Sequence, residues 1–185
     1  MKAEDSLIMN ILYSPVIYIH SDRLLELDSS RNVLSDVILN YLIIKKYQLD
    51  DLPDNWQPDD VVSLLLFSHW RIIPKVAELI GGYLLRERLI IDKMSLIRDP
   101  KMLTFISLPL RHSVIINPQH YIIDYSAWGA AFISRLSHNL PVALRQRLSL
   151  CFSKDILLPE FYITKTPDHI NLLRMAITYA QDIGK

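Results

Sequence analysis

The sequence predicts an all-α fold: one compact domain over residues 1–185, built from about seven to nine helices with little or no sheet. Three observations carry that expectation. Ten prolines stand against four glycines, and most of the prolines sit where helices start. Apolar residues recur at spacings of three and four through most of the chain, and no good hairpin signal interrupts them. Only Ser113 to Ile116 reads as a short extended piece.

The start signals are local chemistry. Ser14-Pro15, Gln57-Pro58, Asp99-Pro100, Asn117-Pro118 and Thr166-Pro167 each set a proline after a polar residue and before an apolar-periodic segment. The Ser, Asp, Asn or Thr side chain caps free N–H groups of the first turn, and proline takes a position whose N–H has no partner in any case. The helix expected over Pro167–Ile183 is the clearest. Its polar residues Asn171, Arg174, Thr178 and Gln181 or Asp182 form a narrow stripe, opposite a wide face of Ile170, Leu173, Ala176, Ile177 and Ala180, with Gly184 as terminator.

A second helix is expected over Val33–Tyr47. Leu34, Val37, Ile38, Tyr41 and Leu42 recur at helical spacing, while Leu39, Ile43 and Ile44 fill the other side. A helix apolar nearly all round is predicted to be buried by its neighbours. A third runs from Pro74 to Ile91, dry along Val76, Ala77, Ile80, Tyr83 and Leu84 and wet along Lys75, Glu78 and Arg86. Gly81-Gly82 costs it about 1 kcal/mol per glycine relative to alanine, which implies a close helix crossing, a bend, or a break. A long helix over 118–136 sets Trp128 beside Gly129-Ala130-Ala131, and shorter helices are expected near 59–69, 100–107 and 141–152.

Residues 49–60 are the least structured stretch, with Asp50, Asp51, Asp54, Asp59 and Asp60, two prolines and no Lys or Arg. This stretch is the only candidate internal boundary, and an interhelical loop is the preferred reading. Loops carry recognition disproportionately, so these carboxylates are candidate partner contacts, as are the basic residues Arg86 and Arg88.

The charge balance is neutral overall, 20 basic against 20 acidic residues, so no global field draws the protein to nucleic acid or an anionic membrane. Residues 1–60 carry five Lys/Arg and eleven Asp/Glu, a balance of −6; the remainder carries fifteen and nine, a balance of +6. A single cysteine, Cys151, excludes an intrachain disulfide and fits a reducing compartment. No signal peptide is recognisable, and no apolar run approaches the roughly 18 residues that a membrane span needs.

No residue constellation in the sequence points to catalysis or to a bound cofactor. With glycines only at 81, 82, 129 and 184, there is no phosphate-cradling loop. The six histidines are scattered singly; the best pair, His120 with Asp124, has no third ligand nearby, and a hydrogen bond on a helix surface explains it. Cys151, between Leu150 and Phe152, reads as a buried structural thiol. Arg135, Arg145, Arg147 and Lys154 read as a solvated basic face without acidic companions. Trp56, Trp70 and Trp128 are candidate anchors for a partner, with core packing the more ordinary use. No cofactor, metal or catalytic residue is expected.

Three segments together resemble one family. Near the start stand Pro15, Tyr18-Ile19-His20 and Arg23-Leu24; in the middle Trp70-Arg71, Pro74, Val76-Ala77 and Gly81; at the end the run from Leu172 to Gln181. Their residues and order resemble the SctK family of type III secretion accessory proteins, which includes OrgA and MxiK. Gly82 departs from that pattern, and residues 91–165 carry no motif of it.

The resemblance implies a non-enzymatic adaptor at the cytoplasmic face of the inner membrane. Such a protein links the cytoplasmic domain of the ring protein SctD to the pod protein SctQ, with SctL and the ATPase complex as indirect partners. Tyr18, His20, Arg23, Trp70, Pro74 and Gly81, which carry the resemblance, are expected to serve structure. A secretion chaperone and, further off, a small helical enzyme are the alternatives.

Overall fold

The computed structural model describes residues 3–26, 34–54, 56–87, 99–112, 114, 124–163 and 165–182. Among them the fold is all-α, with nine α-helices and no strand. In chain order these are α1 (Ala3–Tyr13), α2 (Ser21–Leu25), α3 (Asp36–Lys46), α4 (Val61–Ser68), α5 (Ile73–Leu84), α6 (Pro100–Ile106), α7 (Tyr125–Leu136), α8 (Val142–Leu150) and α9 (Pro167–Asp182). Two 3₁₀ turns, Pro15–Ile17 and Trp70–Ile72, precede α2 and α5. The readings placed on Asn117-Pro118, on 118–123 including His120, on 88–91, on Arg88, on Ser113 with Ile115-Ile116, and on Gly184 lie outside the described residues.

Two of the start signals act as local chemistry requires. Asp99 accepts the Lys101 N–H at 2.9 Å in front of Pro100, and Thr166 Oγ1 accepts the His169 N–H at 3.3 Å in front of Pro167. Two expectations shift by a few residues. The helix announced by Gln57-Pro58 begins at Val61, where Asp60 accepts the Val62 and Ser63 N–H groups at 2.8 and 3.3 Å. Ser14-Pro15 opens a single 3₁₀ turn, and Ser14 makes no side-chain cap. At the end of α3, Gln48 takes a left-handed φ of 47°. Its N–H reaches Lys45 O and that of Leu49 reaches Ile44 O, so the last carbonyls of α3 are satisfied as a glycine would allow.

The described chain divides into two compact units. One comprises Met1–Arg71 with Ser137–Ile156 and contains α1 to α4 and α8. Residues 49–60 lie inside it. The aromatic part of its core is a row of rings: Tyr18 meets Trp70 edge-on at 5.9 Å, Trp70 stacks on Phe67 at 5.9 Å, and Trp56 tilts against Phe67 at 5.5 Å.

The other unit comprises Ile72–Leu136 with Leu157–Lys185 and is organised around α5, which contacts α6, α7 and α9. Ile73, Val76, Ala77, Leu79, Ile80, Tyr83 and Leu84 are all buried. Gly81 is the place where α5 meets the first residue of α7: a Cβ there would lie 1.8 Å from Tyr125 O. One turn away on each helix the contact reverses, and a Cβ on Gly129 would lie 1.7 Å from Ala77 O. These pairings run in opposite order, so α5 and α7 cross antiparallel with their backbones in contact. Of the three explanations open for Gly81-Gly82, close crossing is the one realised at Gly81. Helix α9 closes the unit with Leu172, Leu173, Ala176, Ile177 and Ala180 buried and Asn171, Arg174, Thr178 and Gln181 exposed.

Candidate partner-binding surface

The N-terminal motif residues tie the start of the chain to the end of α8. Tyr18 is buried and its hydroxyl donates to Ile11 O at 2.6 Å. Burial above all, with Cys151 nearby, raises its pKa, so the hydroxyl stays a donor. The His20 N–H donates to Leu150 O at 2.8 Å, and its imidazole stands 2.7 Å from an Asp22 oxygen. Arg23 Nε donates to Phe152 O at 2.7 Å and Nη2 to Ser153 O at 3.3 Å, while its guanidinium lies 5.6 Å from the centre of the Tyr47 ring. Asp22 completes the join by accepting from the Ser153 hydroxyl and the Lys154 N–H. Desolvation works against its charge, but the hydrogen bonds from Ser153 and His20 outweigh it and bring its pKa down to about 2.

Two members of the supposed solvated basic face are otherwise engaged. Lys154 pairs with Glu26 at 2.6 Å, a contact that Lys46 shares at 3.1 Å, and both cations lower the Glu26 pKa. Arg147 is 1% exposed, the opposite of the sequence reading. Its Nε and Nη2 each donate to Leu12 O at 3.1 Å, and Nη1 donates to Asp50 O at 2.8 Å and Ala143 O at 2.9 Å. One buried side chain thus closes the C-terminal end of α1, holds the acidic stretch and satisfies its own helix. Burial pushes its pKa down, while the last carbonyls of α1 supply the negative end of a helix dipole.

The acidic stretch is therefore anchored at one end. Asp50 exchanges two hydrogen bonds with Gln146, its N–H donating at 2.8 Å and its carboxylate accepting at 3.2 Å. Asp51, Asp54 and Asp59 are exposed, whereas Asp60 is half-buried as the cap of α4, where it also accepts from the Ser63 hydroxyl at 2.6 Å. In the middle motif Trp70 is buried, Pro74 stands in the first turn of α5, and Gly81 makes the helix crossing. Arg86 lies 4.2 Å from the centre of the Tyr83 ring, and one of its terminal nitrogens is buried without a hydrogen-bond partner among the described residues.

The surface that sequence reasoning missed is on α3. Leu39 and Ile43 are buried and Asn40 Oδ1 accepts the Val16 N–H at 2.9 Å, which fixes the inward side. The opposite side carries Val37, 78% exposed, Tyr41, 61%, and Ile38, 46%. Lys45 continues this stripe one turn beyond Tyr41, with its ammonium 6.0 Å from the ring centre. The expectation that neighbours bury this helix all round is wrong: helix packing covers one side, and the other presents apolar side chains to solvent. Its sequence could signal this only weakly, because a helix apolar on both sides contains no polar face to mark the outside.

Among the described residues no group of three or more His, Cys, Asp or Glu side chains is placed to hold a metal ion. Asp124 accepts the Ala127 N–H at 3.0 Å in front of α7 and so acts as a cap. Cys151 is fully buried, and desolvation raises its thiol pKa, which keeps it protonated at neutral pH. No described helix is long and apolar enough to cross a membrane.

The fold and these contacts define an all-helical protein with exposed apolar residues along one face of α3. The model of the family "Bacterial type III secretion apparatus protein (OrgA_MxiK)" matches residues 8–182, and the chain belongs to that family. No curated protein and no solved structure matches it.

Proposed function

We propose that this protein is a non-enzymatic adaptor of the type III secretion apparatus, linking the cytoplasmic domain of SctD to SctQ beneath the inner membrane. The observation that carries the reading is the outward stripe Val37, Ile38, Tyr41 and Lys45 on α3. Large apolar side chains held in solvent on an ordered helix cost free energy that a partner's surface recovers on binding, and a tyrosine near the middle is a common anchor. Family membership supplies the machine in which such a partner is sought.

The test is calorimetric titration of the purified chain with the SctD cytoplasmic domain and with SctQ from the same system. Both are expected to bind, and to bind together. Tyr41→Asp and Val37→Asp should abolish binding to one of them at unchanged helicity, because neither side chain contributes to the core. A folded wild-type chain that takes up neither protein overturns the proposal.

A further inference from the structure

Between α8 and α9 the chain passes from 156 to 163 without helix, turn or bend. Leu157 and Leu158 are both exposed, and from Leu158 to Ile163 exposure alternates with the period of a strand. Leu158, Glu160 and Tyr162 are exposed, with Leu158 at 48% and Tyr162 at 80%, while Pro159 and Ile163 are half-buried and Phe161 is buried. Phe161 anchors the run: its ring stacks on Trp128 at 5.3 Å and 9°, with the Arg135 guanidinium 5.8 Å from its centre.

In an extended chain the N–H and C=O groups of alternate residues point to the same edge. Residues 159, 161 and 163 share one edge, and Pro159 removes a donor from it. Leu158, Glu160 and Tyr162 share the other, which keeps three donors and three acceptors. Among the described residues no hydrogen bond joins the backbone of 157–163 to any other group. Among the described residues this backbone is unpaired, and one ring anchors it from behind. Among the described residues Glu160 forms no ion pair, and it lies between the two exposed apolar side chains.

We infer that the Leu158–Glu160–Tyr162 edge accepts an extended segment of a partner protein by strand addition. Main-chain hydrogen bonds supply the attachment. The visiting strand carries a Lys or Arg opposite Glu160 and apolar residues opposite Leu158 and Tyr162, since opposite charges and apolar pairs are the favourable cross-strand neighbours. The inference rests on the adaptor reading for the partner's identity; the edge's chemistry stands on its own.

The experiment uses a random dodecapeptide library panned on the full chain, followed by affinity measurement and amide hydrogen exchange with the selected peptides. Enriched peptides should alternate, with a basic residue between apolar ones. Their binding should weaken at least ~10-fold with Glu160→Pro, which deletes the central donor, and only ~2–5-fold with Glu160→Ala. Glu160→Lys should switch the selection to acidic peptides. On binding, the amides of Leu158, Glu160 and Tyr162 should gain protection while those of Phe161 and Ile163 keep their rates. Circular dichroism checks that each variant is folded. Peptides that bind Glu160→Pro as tightly as the wild type, or a selection without this alternation, overturn the inference. A chain that takes these peptides but neither SctD nor SctQ keeps the edge and loses the adaptor reading; the converse loses the edge alone.

Discussion

Gly81→Ala sets two effects of opposite sign against each other, and the structure decides between them. Alanine inside α5 gains about 1 kcal/mol of helix propensity over glycine. Its Cβ, however, would sit 1.8 Å from Tyr125 O, 2.6 Å from its C and 2.9 Å from its Cα, all backbone atoms that cannot swing aside. Carbon and a carbonyl oxygen approach to about 3.3 Å at the closest, so α5 and α7 must part by roughly 1.5 Å. A gap of 0.5–1 Å already forfeits about a quarter to a half of each dispersion contact. The residues that would lose them, Val76, Ala77, Ile80, Trp128 and Phe132, are among the most buried in the unit.

Overpacking typically costs about 1–3 kcal/mol, and a clash with rigid backbone belongs at or above the upper end. After the propensity gain, a net loss of about 2 kcal/mol or more remains, a fall in Tm of roughly 4–8 °C for a chain of this size. Thermal and urea unfolding followed by circular dichroism measure it. Gly129→Ala should behave alike, and the double variant should cost less than the sum, since one separation of the helices relieves both clashes. Gly82→Ala is the control: its Cβ meets the Sδ of Met102 at 2.5 Å, a flexible side chain that can give way. A Gly81→Ala protein as stable as the wild type would refute the backbone-contact crossing.

Three further outcomes follow from the other unit. Arg147→Met should cost about 2–4 kcal/mol in urea unfolding, because it leaves the Leu12 and Asp50 carbonyls without their buried donor, while losing the desolvated charge returns part of that; an unchanged midpoint would mean that water serves these carbonyls equally well. Asp22 has a folded pKa of about 2 against an ordinary 3.8, so its contribution is full above about pH 4 and is lost as pH falls through 2. Asp22→Asn should therefore lower the urea midpoint at pH 7 and flatten its decline between pH 4 and 2, and an unaltered slope would contradict the pairing with Ser153 and His20. Tyr41→Asp should leave the unfolding midpoint within about 0.5 kcal/mol of wild type while removing partner binding, as a surface residue with no core contact requires.

Much of the fold was legible because its signals are short-range. Asp99 and Thr166 cap helices from the residue before a proline, a matter of three residues of chain, and the polar stripe Asn171, Arg174, Thr178 and Gln181 marks the outside of α9 by its period alone. Cys151 reads as buried from its apolar neighbours and is buried. The roles of Trp70 and Pro74 were equally open to reading: a large ring under a turn and a proline in the first turn of the next helix. Asp60, in contrast, was seen only as one carboxylate of an acidic tract, although Ser63 three residues on, where its N–H and hydroxyl both reach Asp60, was a local sign of a cap.

What the tertiary structure alone decided depends on distances along the chain that no local pattern spans. Arg147 finds the carbonyl of Leu12 135 residues away, and its five-donor fork makes a buried position tolerable where the sequence suggested solvent. For α3, period and composition specify a helix, but both sides are apolar, and only the position of Asn40 against Val16 determines that Val37 and Tyr41 face outward. Gly81-Gly82 likewise permits a crossing, a bend or a break; the backbone of Tyr125, brought up by another helix, selects the crossing. The amino-acid sequence determined where helices begin, end and turn their polar sides, because capping and periodicity act within a few residues. Which apolar face is covered and which is left exposed was settled by packing, because that depends on what the rest of the chain brings alongside.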